Sequence, residues 1–329
     1  MILILLCVSL PIVDAKKTFL DWTSPTRANL YSVFMVSATD GWAVGVSLDY
    51  PNPPVIIHWD GTNWSNVTAP KTAPNSWPIS VFMVSANDGW AACSKGIIHW
   101  NGIQWSNVTS PTTSNLDSVF MVSAIDGWIV GRYVILHWNG TQWKATDTSY
   151  MLHSVFMVSA NDGWAVGYGI MHWDGLSWVS LTSPTTSYLN SVFMVSANDV
   201  WAVGDKGAII HWNGIQWSNV TSPTTVELTS VYMVSANDGW TVGDNGIIIH
   251  WNGTSWSAMA SVIKGLKSVF MVSANDGWAV GNDGTIIRWN GTQWVSEFSS
   301  MIILPLFIIA ALIVVVVYKR KHTLTVNKG

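Results

Sequence analysis

Residues able to do chemistry recur along this 329-residue chain instead of clustering. Histidine falls at His58, His99, His137, His172, His211 and His250, each followed at once by Trp, and Arg288 takes the seventh such place. An acid recurs in step, at Asp40, Asp88, Asp126, Asp162, Asp199, Asp238 and Asp276. A metal site needs ligands converging within ~2 Å of one ion. Side chains issued one per repeat do not converge, so the histidines are read as packed, hydrogen-bonded residues. Calcium takes several oxygens from one loop, whereas one acid per turn suits a carboxylate that hydrogen-bonds its own turn. Glutamate occurs only at Glu227 and Glu297, and Arg27, Arg132 and Arg288 sit at three different repeat positions. No catalytic residue, metal or cofactor is therefore expected. Cys93 stands where other copies have Gly, and Cys7 lies in the apolar N-terminal stretch. Cys93 reads as a small buried side chain with no disulfide partner.

The element that repeats is typified by residues 230–256. Its marker tryptophans are Trp42, Trp90, Trp128, Trp164, Trp201, Trp240 and Trp278, spaced by 36 to 48 residues. A period in this range marks a solenoid, array or propeller. Within the unit, Ser230-Val-Tyr-Met-Val-Ser235 is an apolar run of strand length, and Asn237-Asp238-Gly239 is a turn. Trp240-Thr-Val is a second strand, residues 247–251 a third, and Asn252-Gly253 a hairpin signal leading to a fourth at Trp256. The expectation is an all-β, seven-bladed β-propeller of four-stranded antiparallel blades. Two further columns of Trp, beginning at Trp59 and Trp64, bring 21 of the 23 tryptophans into register. Each can bury ~150–250 Å², which makes them the packing between neighbouring sheets.

Only 10% of residues are charged and 49% are hydrophobic, a composition that excludes disorder. Residues 1–15 read as a secretory signal. Residues 19–298 hold the propeller, with residues 19–23 a stray fourth strand competing with residues 294–298 for the last outer slot; the local hairpin favours the latter. Residues 301–318 are uncharged and apolar and precede Lys319-Arg320-Lys321, which reads as one transmembrane helix with a cytoplasmic tail at 319–329. The expected location is the cell membrane, single-pass type I, with the propeller extracellular. Without those ends the chain carries 11 basic against 18 acidic residues, which argues against nucleic acid as partner. Sequons occur at Asn63, Asn66, Asn107, Asn139, Asn219, Asn252 and Asn290, all glycosylation candidates in an exported chain.

Asp-Gly-Trp-Ala-Val-Gly, then Gly-x-Ile-Ile, then Trp-Asn-Gly-x-x-Trp resembles the repeats of the photosystem II assembly-factor propellers and the wider BNR/Asp-box group. Asp60-Gly-Thr-Asn-Trp64 and Asp174-Gly-Leu-Ser-Trp178 keep the acid of that box, and the other five copies have Asn. The resemblance implies the fold and says little about activity. Sialidases share it, but would need three convergent arginines, a nucleophilic Tyr and a paired acid. A sialidase-type glycoside hydrolase is thus the least favoured reading, and a lectin or adhesin using exposed Trp at the rim is the first alternative. The favoured reading is a non-catalytic binding or assembly module for a membrane or envelope protein. In a four-stranded meander the second turns and inter-copy links share one face, and that face varies most. It carries the insertion at residues 47–54 and a longer link containing Trp77. Binding tends to live on variable loops over a rigid scaffold, so Tyr31, Asp49, Tyr50, Lys71 and Trp77 are the candidate ligand contacts.

Overall fold

The apolar run at the head of each copy becomes a strand whose alternate residues turn inward. In Asn29–Ser37, Leu30, Val33 and Met35 are buried, and the same order of Leu or Pro, Val and Met recurs in Pro78–Ser85, Leu116–Ser123 and Leu189–Ser196. The second strand of a copy, such as Asp40–Val46, is buried on both faces, as suits a strand paired on each side and covered by neighbouring sheets. The computed structural model describes residues 24–71, 76–262 and 264–296. They make up one compact unit, Ser24–Ser296.

The structure differs from the expected fold class in two respects. The sequence predicts a seven-bladed propeller of four-stranded blades, but the strands form a six-bladed one, in six hydrogen-bonded sheets, five of four strands and one of six. In the third copy, Asp126–Trp138 runs unbroken through what elsewhere are the second and third strands. Trp143–Ser159 then serves both as the last strand of that copy and the first of the next. The cause lies in the link. Residues 144–153 contain neither Pro nor Gly, whereas Ser110-Pro111-Thr112, Ser183-Pro184-Thr185 and Ser222-Pro223-Thr224 interrupt the ladder elsewhere. The second correction concerns the membrane. Among the described residues no helix is long and apolar enough to cross a bilayer, and the only helical pieces are three-residue turns such as Asp205–Gly207. The leader (1–15), the span (301–318) and the tail (319–329) lie outside the described residues. The structure thus gives no support to the type I anchor or to the extracellular placement built on it.

The outer slot of the last sheet is held by Trp294–Ser296, paired to Ile286–Trp289, while residues 19–23 lie outside the described residues. Three circuits tie the last copy back to the first. Phe34 meets Phe82 at 4.7 Å and Phe270 at 4.8 Å, and Phe120, Phe156, Phe193 and Tyr232 complete an unbroken round of aromatic rings. The amide of Val81 donates to Ser32 Oγ at 3.2 Å, each following copy repeats the bond, and Val33 closes the belt by donating to Ser268 Oγ at 3.2 Å. Finally, Trp278 packs on Trp59 at 4.9 Å and edge-on to Trp64 at 5.5 Å, as Trp42 does on Trp100 and Trp105.

Candidate functional site

The repeated polar residues are absorbed by the scaffold. His58 Nε2 lies 2.8 Å from Asp40 Oδ1 across two adjacent strands, and its ring leans on Trp42 with centroids 4.4 Å apart. Every histidine of the series makes the same pair, from His99 with Asp88 to His250 with Asp238. Arg288 keeps the pattern with a two-pronged bond to Asp276, Nε to Oδ1 at 2.8 Å and Nη2 to Oδ2 at 3.1 Å, beneath which lies Trp278. The acids therefore do not hold their own turn. That task falls to the preceding serine: Ser85 Oγ accepts from the Asn87 amide at 3.2 Å, and the other copies repeat it. No group of three or more His, Cys, Asp or Glu suited to a metal occurs among the described residues. Cys93 is fully buried, and burial pushes its thiol up to about 12.

Tryptophan is equally committed. Trp64, Trp105, Trp143, Trp217 and Trp256 are buried between neighbouring copies, so the rim offers no row of flat sugar platforms. Among the described residues, the indole N–H groups of edge-on pairs such as Trp42–Trp105 and Trp240–Trp294 lack a conventional acceptor. An N–H over an aromatic face is the compensation that geometry offers. At the third turns, Asp60 Oδ1 accepts from the Thr62 and Asn63 amides at 2.8 and 2.7 Å, and Asn101 Oδ1 does the same for Ile103 and Gln104. Acid and amide are interchangeable here.

These amide bonds hold the Asp60 and Asp174 carboxyls below the usual carboxylate range. A group lowered in the folded state stabilises it above the unfolded pKa, and the contribution is lost as pH falls through the folded value. Asp60→Asn and Asp174→Asn keep the acceptor but not the charge, so they should lower neutral-pH stability slightly and reduce the loss of stability on acidification. Thermal melts of the full chain from neutral to acid pH check this.

Of the predicted contacts, Tyr50 is 95% exposed and Asp49 also faces solvent, on a loop that is closed upon itself. The Asp49 amide donates to Ser47 Oγ at 3.1 Å and the Ser47 amide to the Pro53 carbonyl at 2.9 Å. Leu48 of this loop lines a shallow depression with Asn29, Asp244, Lys264, Lys267 and Asn282. Tyr31 is half-buried, and burial raises its pKa against the pull of Asn29 and Lys267. Trp77 is also half-buried, its amide donating to Ser94 Oγ and its carbonyl accepting from the Ser94 amide, and the Lys71 carbonyl accepts from Asn107 Nδ2 at 2.9 Å. No hydrogen bond or ring contact joins Asp49 or Tyr50 to Lys71 or Trp77 among the described residues. The sequons divide in the same way. Asn66, Asn107 and Asn219 donate their side-chain amides to link carbonyls, while Asn139, Asn252 and Asn290 use Oδ1 to cap their turns.

A second cluster on the second-turn and link face escaped sequence reasoning. Tyr168 and Tyr188 stack with centroids 3.8 Å apart, and His153 stands edge-on to Tyr168 at 5.8 Å. The hydrogen bond with Tyr188 raises the Tyr168 pKa, burial adds to it, and the neighbouring Tyr133 and Arg132 are close enough to be felt. Burial likewise raises the Asp117 carboxyl, against His153 and Arg132. Farther round this face the balance is acidic. Burial, Asp244 and Asp205 raise Glu227, whose carboxylate, with that of Asp205, accepts from Asn190 Nδ2 at 3.2 Å. Lys267 and Lys264 are spent on Asp244 and Asp283.

No protein-family model matches the chain, and no curated protein matches it. Solved structures do. YCF48 bound to D1 peptide is 18% identical with a TM-score of 0.66, over 80% of this chain and 94% of that one. YCF48 from Cyanidioschyzon merolae gives 16% and 0.65, over 82% and 98%. The WD40 repeats of RRP9 give 10% and 0.65, over 78% and 88%. At such identities the likeness is one of fold. It meets the assembly-factor half of the resemblance drawn from the repeats and gives the BNR/Asp-box half no support. The chain is a β-propeller built of repeated antiparallel sheets.

Proposed function

We propose that the chain is a non-catalytic protein-binding module that holds a partner segment on its second-turn and link face. One observation carries the reading: the polar groups that repeat are consumed inside the scaffold, and what departs from the repeat is exposed on that face. Tyr50, Tyr133, Tyr168 and Tyr188 are all exposed there. Tyrosine supplies large contact area at low conformational cost and is enriched at interfaces. Tyr31, Asp49, Tyr50, Lys71 and Trp77 remain the proposed contacts around the first two copies. The structure of YCF48 with D1 peptide shows that a propeller of this general form accommodates a peptide. The lectin alternative loses its Trp platforms to burial, and the hydrolase alternative loses Arg288, one of its three arginines, to Asp276.

The test is panning of a random-peptide display library on the full chain, beside a glycan array. The reading expects peptides to be enriched and their binding to fall on substitution in the second-turn and link face, with Thr254→Ala on the opposite face as the neutral control. Enrichment of glycans alone, or binding sensitive only to Thr254, contradicts it.

A further inference from the structure

We infer that Tyr133, Tyr168 and Tyr188, with Arg132 and His153, form a docking surface for an extended acidic peptide segment in which proline alternates with carboxylates. The inference rests on the protein-binding reading and names the partner's chemistry.

Three observations converge on it. The first is aromatic exposure without repetition. Tyr133, Tyr168 and Tyr188 remain 47%, 48% and 42% exposed, although two of them already stack on each other. Aromatic residues and arginine dominate the energetics of interfaces, and aromatic-lined surfaces accept proline-rich segments that arrive already extended.

The second is backbone conformation. Tyr133 sits at φ 63°, in the left-handed region that a bulky side chain rarely adopts. Equivalent turns in later copies give that conformation to Lys206, Asn245 and Asp283 and follow it with glycine. Holding Tyr there costs backbone energy and points to a demand on its side chain beyond folding.

The third is charge. Arg132 is exposed and makes no ion pair among the described residues, and its nearby acid, Asp117, is a carboxyl whose charged form burial disfavours. The far side of the same face presents Asp205, Glu227, Asp244 and Asp283, with Lys264 and Lys267 already paired and Lys206 the exposed lysine beside Asp205. An acidic segment is repelled from that arc and drawn to Arg132; a basic one is steered the other way.

The test titrates the full chain with fluorescein-labelled Pro-Glu-Pro-Glu-Pro and its counterpart Pro-Lys-Pro-Lys-Pro. The acidic probe should bind, weaken as salt is added, and lose about tenfold or more in affinity on Tyr188→Ser or Arg132→Glu. Tyr133→Gly, which glycine's freedom at positive φ allows to fold, should lose affinity without any fall in Tm. The lysine probe should not compete. Equal binding of the two probes, or acidic binding unchanged in all three variants, overturns the inference. If library peptides bind the face while the acidic probe does not, the inference fails and the protein-binding reading stands. If no peptide binds and glycans do, both fall.

Discussion

Trp278→Ala is expected to destabilise the full chain by about 3–5 kcal/mol, the range for emptying a buried Trp site. Trp278 is wholly buried between the last and first copies. It packs on Trp59 at 4.9 Å, meets Trp64 edge-on at 5.5 Å and lies under Arg288 at 5.1 Å. Truncation removes the aromatic contacts, worth ~0.5–1.5 kcal/mol per pair beyond their area, and strands the Arg288–Asp276 pair over a void. Trp164 occupies the corresponding place within the chain, against Trp212 at 5.0 Å and Trp217 at 5.1 Å. Trp164→Ala should therefore cost a similar amount. Urea midpoints of the two variants decide it: comparable losses, with Tm falling by roughly 10 °C, are the expected result. A much smaller loss at Trp278 would show that the closing seam carries little.

Gly204→Ala is the second large effect, expected to cost about 1–3 kcal/mol by overpacking. The backbone at Gly204 is ordinary extended chain, with φ −172°, so the requirement is one of space. A Cβ there would stand 1.9 Å from the Tyr188 carbonyl oxygen and 2.8 Å from Leu189 Cα. Both are backbone atoms that cannot rotate aside, and that carbonyl accepts from the Asp205 amide at 2.9 Å. The second copy shows what accommodation takes: Cys93 replaces this glycine, and its strand partner is Pro78 where the others have leucine. Because the displaced residue is Tyr188, the variant should also weaken binding of the acidic probe. Tm and probe affinity falling together would support the coupling, and an unchanged Tm would refute the steric argument.

Repetition made much of the architecture readable from sequence. The strand periods, the Asn-Gly hairpins and the three tryptophan columns each announced an element, and the columns do pack between neighbouring copies. Cys93 was legible because one copy departed from glycine. Fusion of the third and fourth copies into one sheet was not read, although its sign, a link without Pro or Gly over residues 144–153, lies in plain view. The partners of Asp40 and its equivalents could not be read, because pairing with His58 depends on cross-strand register, which a local motif does not carry. The serine belt was hidden for the same reason: Ser32 acts on the next copy, 49 residues away. Tyr133, Tyr168 and Tyr188 occupy different repeat positions, so no column betrays them, and only the folded turns and links bring them together.

Closure of the repeats upon themselves is the claim on which face, patch and seam all depend. Hydrogen–deuterium exchange at the Val33 amide tests it most directly, because that amide's partner, Ser268 Oγ, lies 235 residues away. A closed circuit predicts protection of Val33 comparable to that of Val155, whose amide donates to Ser118 Oγ within the chain. Exchange of Val33 at the rate of a free amide, with Val155 still protected, would mean an open row and contradict the account.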